Sequence, residues 1–241
     1  GVMNYLEKKG IGYPVGAGVV PLVVQSDIFD LGCGSFSVRP DAELAWKACE
    51  GAYEDNYQDG CYGAGTGATV GKMNGMDWCT KTGMGSYAIQ VGDIQIGAIV
   101  CLNALGNVYD REGTCIAGMR CEDGSGFQSV RELMVSVYSQ ISENKFTGNT
   151  TIGVILTNAK FNKYRMGKIA SMAHCGYARS ISPVYTSADG DTIYAMSTGD
   201  VPADEDLVGT LAAEVMQEAI YRAVSSAEGG YGFPAAKDVK K

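Results

Sequence analysis

Residues 148–158 read Gly-Asn-Thr-Thr-Ile-Gly-Val-Ile-Leu-Thr-Asn and set Thr150 at the head of an apolar, β-branched run. Ile152, Val154, Ile155 and Leu156 predict a buried strand, whereas the polar stretch 144–149, marked by Gly148, predicts an accessible loop ahead of it. A cut between Asn149 and Thr150 would expose Thr150 as a new N-terminus. An N-terminal threonine carries a hydroxyl nucleophile and, in its own α-amino group titrating at about 8, a general base within one residue. That chemistry requires no histidine. The chain has one, His174, in a stretch Ala170-Ser-Met-Ala-His-Cys175 that reads as helix, and a serine-protease arrangement would depend on it entirely. By spacing alone, Asn149-Thr150-Thr151 also describes a polar loop entering a core strand, which is the commoner use of such residues.

Three further segments carry polar groups of interest. Gly63-Ala-Gly-Thr-Gly-Ala-Thr-Val-Gly-Lys72 has the look of a phosphate loop and fails the pattern twice, with Thr66 where the first glycine belongs and Met73 in place of Ser or Thr. What remains is a Gly-rich turn ending in Lys72, either a fixed positive charge or an ordinary surface lysine. Asp189-Gly190-Asp191 precedes a predicted strand; two carboxylates about a glycine bind a cation, hold an ammonium or simply make a turn. Beside a free N-terminal amine they would favour its protonated form. Asn103 closes another predicted strand, where its amide is placed to donate to an oxyanion or to form a turn.

The elements that must position these residues follow from periodicity. Gly1 to Gly10 reads as the end of an amphipathic helix capped by Gly10, with neither initiator methionine nor signal pattern, so the chain looks cut at its front. Pro21-Leu-Val-Val24 and Ile28-Phe-Asp-Leu31 read as short strand-like pieces. Residues 41–55 read as a helix with Asp41 as N-cap, Ala45, Ala48, Cys49 and Ala52 on one face, and Trp46 and Tyr53 packed. Ser86–Val91 and Ile94–Asn103 predict a hairpin around Gly92-Asp93, through a type I′ or related turn. Further helices are predicted at Val130–Ile141, at 161–178 and at Asp204–Ser226, the last with Leu207, Leu211, Val215 and Ala219 at helical spacing, and a strand at Thr192–Ser197. Strands and helices in mixed order with hairpins indicate an α+β layered architecture in one domain, 1–241.

Composition narrows the functional classes. A length of 241 residues with 46% hydrophobic content supports a sizeable core. A formal charge of −8, with no basic cluster interleaved with aromatics, argues against a nucleic-acid partner. Eight cysteines, several inside apolar runs and none in Cys-x-x-Cys spacing, read as reduced thiols in a cytoplasmic protein and point to no metal site. The apolar segments fall far short of the ~20 residues needed to span a bilayer.

The sequence resembles the L-aminopeptidase/D-esterase family, which includes β-peptidyl aminopeptidases and nylon-oligomer hydrolases. The matching stretches are Gly1-Val-Met-Asn-Tyr-Leu-Glu7, Ile28-Phe-Asp-Leu31, Gly65-Thr-Gly-Ala-Thr-Val-Gly-Lys72, Leu102-Asn-Ala-Leu-Gly106, Asn149-Thr-Thr-Ile-Gly-Val154, Met172-Ala-His174, Ala178-Arg179 and the run from Thr186 to Ala195. They run through the whole chain in family order. The resemblance implies a precursor that cleaves itself between Asn149 and Thr150 into an α part (1–149) and a β part (150–241) that stay associated in a four-layer αββα sandwich, and a chain here lacking the family's N-terminal segment. It implies Thr150 as nucleophile, Asn103 as oxyanion donor, Lys72 as active-site cation, and Asp189 and Asp191 as the acidic group near the new terminus. Phe29 stands where some members have a tyrosine, removing a hydroxyl from the substrate-binding position. The function implied is hydrolysis of short peptides or amino-acid amides through an acyl-enzyme, without cofactor or metal, by a homo-oligomer of processed units. The rivals are an acyltransferase of related architecture and a non-catalytic binding protein that retains the fold.

Overall fold

The computed structural model describes residues 1–137 and 148–240. Its contacts divide into two units, Gly1–Ser26 with Ser35–Gln58, and Asp27–Gly34 with Asp59–Lys241. In the first unit, helix α1 (Val2–Lys8) packs on α2 (Ala42–Glu50). Tyr5 meets Trp46 edge-on at 5.2 Å, and a short ribbon pairs β1 (Tyr13–Pro14) with β2 (Val19–Val20). Asp41 caps α2 through the Leu44 N–H, as the sequence predicts, but the helix stops at Glu50, short of residue 55. Tyr53 lies beyond that end and is exposed, so the expectation that it packs on the helix is corrected. Pro21–Val24 and, in the second unit, Ile28–Leu31 form no strand; Pro21 lacks a backbone donor, and Leu22 and Val24 face solvent.

The second unit is built on a four-stranded sheet of order β11 (Thr192–Val201), β9 (Ile152–Ala159), β6 (Ile94–Cys101) and β5 (Met84–Val91). Before it come β3 (Thr69–Val70) and β4 (Thr80–Lys81), an antiparallel pair. The hairpin of β5 (Met84–Val91) and β6 (Ile94–Cys101) turns at Gly92-Asp93, where Gly92 alone has positive φ, which excludes type I′. A smaller sheet joins β7 (Asn107–Tyr109) to β8 (Cys115–Ala117) on one side and to a later strand, β10, on the other. Helix α3 (Val130–Ser136) is capped by Ser129; the rest of the helix predicted to Ile141, and residues 144–147 of the predicted loop, lie outside the described residues.

The strand predicted behind Thr150 is β9 (Ile152–Ala159), antiparallel to β6. It is followed by α4 (Lys163–Ser180, capped by Asn162), β10 (Ile181–Ser182), β11 (Thr192–Val201) and α5 (Glu205–Ser225, capped by Asp204). β11 runs parallel to β9, the crossover being supplied by α4. Helices α4 and α5 pack on each other; α5 lies on β5 and β6, and α4 on β11. Helix pair and sheet are two explicit layers of an α+β architecture.

Close approach explains the small residues in this contact. A Cβ at Gly85 of β5 would fall 2.0 Å from the Ala219 carbonyl oxygen, so only glycine lets the α5 backbone pass so near the strand. The buried face of α5 accordingly runs through Val208, Ala212, Val215, Met216, Ala219, Ile220 and Ala223. The stripe expected from spacing starts one residue off: Leu207 is 42% exposed, and Val208 is buried in its place. Ile220→Ala should therefore cost about 2–5 kcal/mol by leaving a cavity, whereas Leu207→Ala should cost about 0.5 kcal/mol or less. Denaturant unfolding of the two variants checks this; equal losses would contradict the assigned face.

Candidate active site

Asn103 lies just past the end of β6 and is 0% exposed, so each of its polar atoms needs a partner. Its Oδ1 accepts from the Thr69 N–H at 3.2 Å and from Lys72 Nζ at 2.5 Å. Its Nδ2 donates to the Phe29 carbonyl at 3.2 Å. Its backbone carbonyl accepts from the Thr150 N–H at 2.8 Å and from Lys72 Nζ at 3.3 Å. One buried asparagine thus joins the Gly-rich segment, the chain at Phe29 and the predicted cleavage junction.

Lys72 is partly buried, and desolvation lowers its ammonium to about 8, against weaker opposing influences from Cys79, Asp189, Cys101 and Asp30. Burial drives the neighbouring thiols the other way, Cys79 to about 11 and Cys101 to about 12, so both stay protonated at neutral pH. The Gly-rich segment is held from beneath by Lys81, a fully buried lysine that donates to the carbonyls of Gly65 (3.0 Å), Ala68 (3.1 Å) and Thr82 (2.6 Å). Sequence reasoning missed Lys81, because nothing in Cys-Thr-Lys-Thr distinguishes it from a surface lysine.

Thr150 is 8% exposed and sits two residues before β9. Thr150 Oγ1 donates to the Asn149 carbonyl at 2.5 Å, and that carbonyl also accepts from the Gly190 N–H at 2.8 Å. Asn149 bridges Asp189 in parallel register, extending the β9–β11 pairing, and Asn149 Nδ2 reaches the Ala188 carbonyl at 3.2 Å.

The Asp-Gly-Asp segment therefore runs alongside residues 149–151. Asp191 accepts from the Thr151 N–H at 2.7 Å and the Tyr185 N–H at 3.1 Å. Burial raises its carboxyl to about 6, opposed by the Thr151 N–H and assisted by the charge of Asp189. Asp189 accepts from the Leu105 N–H at 3.2 Å, the Thr186 N–H at 3.2 Å and the Thr186 hydroxyl at 2.5 Å. Asp191 thus pins the backbone just after Thr150, and Asp189 ties its own segment to Leu105 and Thr186. Tyr177, buried on α4, places its hydroxyl 3.3 Å from the Thr151 carbonyl and 3.2 Å from that of Thr192, in space left by Gly153.

Phe29 is 38% exposed and enters through its carbonyl bond to Asn103. His174 stands edge-on to Tyr177 and Tyr185, with Nδ1 lacking a hydrogen-bond partner among the described residues. Burial lowers its pKa. Among the described residues no group of His, Cys, Asp and Glu is arranged as metal ligands, and no helix is long and apolar enough to cross a membrane.

Solved structures resemble this arrangement at the level of fold. A crystal structure of a Pyrococcus horikoshii protein matches with TM-score 0.60 and 22% identity, covering 95% of this chain and 63% of that one. The L-aminopeptidase D-Ala-esterase/amidase of Ochrobactrum anthropi, described as a variant of the Ntn hydrolase fold, matches with TM-score 0.53 and 22% identity, covering 80% and 51%. These likenesses define the class of fold, an α+β architecture shared with a protein described as an Ntn hydrolase variant. Among curated relatives, an uncharacterized aminopeptidase of Mycobacterium leprae is 32% identical over 97% of this chain and 69% of its own length. A 6-aminohexanoate-oligomer endohydrolase of Paenarthrobacter ureafaciens is 30% identical, over 92% and 66%. Residues 1–236 match peptidase family S58, and the chain belongs to that family.

The raised carboxyl of Asp191 has a definite sign in stability. Its folded pKa, about 6, lies above the ordinary carboxyl value of 3.8, so the folded state binds the proton more tightly and Asp191 contributes falling stability as pH rises from about 4 to 6. Asp191→Asn should abolish that decline. Melting temperatures of wild type and variant, compared from pH 4 to 7, should diverge within that window and run parallel above it; parallel curves throughout would refute the assigned ionisation.

Proposed function

We propose that the protein is a self-processing N-terminal-threonine aminopeptidase or amidase that hydrolyses short peptides or amino-acid amides through an acyl-enzyme. The observation that carries this reading is the contact of Thr150 Oγ1 with its own preceding carbonyl, 2.5 Å from the Asn149 oxygen, beside Asn103 and Lys72 in a chain of a peptidase family. Attack by Oγ1 on the Asn149 carbonyl carbon, transfer of the acyl group from nitrogen to oxygen and hydrolysis of the resulting ester free the Thr150 amine.

In turnover the same hydroxyl attacks the substrate carbonyl, and the Thr150 amine takes its proton and passes one to the leaving amine. Lys72 shares the Asn103 carbonyl with the Thr150 nitrogen, and its positive charge holds the new amine toward its neutral, basic form. Asn103 has a second amide hydrogen besides the one given to Phe29, and it serves the substrate oxyanion. Asp191 holds the Thr151 backbone and Asp189 braces the adjoining segment, and their negative charge opposes Lys72 in setting the amine's pKa. Phe29 contributes to the substrate-binding surface, and the processed pairs assemble as a homo-oligomer. The relatives' names, aminopeptidase and 6-aminohexanoate-oligomer endohydrolase, support amide bonds in short or oligomeric substrates.

Mass spectrometry of the complete protein under denaturing conditions should show two pieces, the second beginning Thr150-Thr151-Ile152-Gly153, and Thr150→Ala should remain whole. A single uncut chain with aminopeptidase activity would sink the proposal. Supplying an acceptor amine separates hydrolysis from acyl transfer by the products formed. Processed Asn103→Ala should lose ~10²- to 10³-fold in kcat with a smaller change in KM; an unchanged kcat removes Asn103 from the oxyanion role.

A further inference from the structure

We propose that the backbone N–H of Gly190 is the oxyanion donor of the self-cleaving step, and that glycine at position 190 leaves Thr150 Oγ1 room to reach its own carbonyl. The inference rests on the self-processing reading above. Two donors meet the Asn149 carbonyl oxygen among the described residues, Thr150 Oγ1 and the Gly190 N–H. When Oγ1 bonds to the carbonyl carbon it gives up its proton and ceases to be a donor. The carbonyl electron pair then moves onto an oxygen that keeps the Gly190 N–H, 2.8 Å away, as its partner.

Asn103 does not occupy this place in the precursor. Its Oδ1 is fixed as acceptor by the Thr69 N–H and the Lys72 ammonium, which turns the amide nitrogen toward the Phe29 carbonyl. The Gly190 N–H, by contrast, is held in position from both sides. Asp189 is tied to Leu105 and Thr186, Asp191 to Thr151 and Tyr185, and Asn149 bridges Asp189 directly. A donor fixed before charge develops is the arrangement that stabilises an oxyanion without reorganisation.

The lack of a side chain matters as much as the N–H. A Cβ at position 190 would lie 2.8 Å from Thr150 Oγ1 and 3.5 Å from its Cγ2, inside the space the nucleophile uses. As the Oγ1–C bond forms and the C–N bond breaks, the proton given up by Oγ1 passes to the Thr150 nitrogen, and water then hydrolyses the ester to an Asn149 carboxylate and free Thr150.

The test measures processing of the full chain from its unprocessed precursor, made by cell-free translation and scored per folded molecule. Replacing Gly190 by glycolic acid exchanges its amide for an ester, removing the N–H while adding no atom; processing should slow by ~10²- to 10³-fold. Gly190→Ala should slow it by about tenfold or more, because Oγ1 is forced off its rotamer. In a Thr150→Ala background Gly190→Ala should melt like Thr150→Ala alone, and the ester variant should melt lower by the loss of one hydrogen bond yet still in one cooperative transition, which separates the effect from misfolding. Wild-type processing rates in the ester variant overturn the inference, whereas absence of processing in the wild-type chain overturns the reading beneath it.

Discussion

A buried asparagine must satisfy an amide and a peptide group without water, and in this protein the satisfaction of Asn103 organises everything near Thr150. Leaving such a group unpaired costs about 1–3 kcal/mol, so the segments that supply its partners are tied to one geometry. Those partners come from Thr69, Lys72, Phe29 and Thr150, which are distant in sequence. The predicted nucleophile is therefore placed by its backbone N–H before its side chain makes any contact.

The second constraint is the parallel pairing of β9 with β11. A parallel pair needs a long crossover, here α4, and its register carries past the strand ends to Asn149 and Asp189. That register puts the Gly190 N–H against the Asn149 carbonyl and the Asp191 carboxylate against the Thr151 N–H. The helix layer keeps the register from slipping, because Tyr177 of α4 reaches both strands through its hydroxyl and α5 comes within backbone contact of β5 at Gly85. Core packing and site geometry are in this sense one problem.

Electrostatics around the junction follow from burial in both directions. Desolvation lowers Lys72 to about 8 and raises Asp191 to about 6, so both groups titrate much nearer to neutrality than in water. Lys81 donates to three carbonyls, and its bonds to those of Gly65 and Ala68 hold the Gly-rich segment that carries Thr69 and Lys72. Such groups are expensive to bury unless fully bonded, and their presence beside one peptide bond marks this region as built for more than packing.

Much of the fold was legible in the sequence, because local signals and tertiary packing agree along β9, the β5–β6 hairpin and α5, and because Asp41, Ser129, Asn162 and Asp204 cap helices in the ordinary way. Thr150, Asn103, Lys72 and the two aspartates were legible as candidates because their side chains have recognisable chemistry. The sequence could not settle which face of α5 turns inward at Leu207 and Val208, since helix approach decides that, nor that Pro21–Val24 and Ile28–Leu31 form no strand, since a strand depends on a partner as well as on β-branched residues. Gly190 and Lys81 were invisible for a similar reason. A backbone N–H carries no residue-type signature, and a buried lysine is spelled like an exposed one. Residue types determined by themselves which groups were available for chemistry; only the tertiary structure decided which of them meet at the Asn149 carbonyl, because that meeting depends on strand register and on where buried polar atoms find partners.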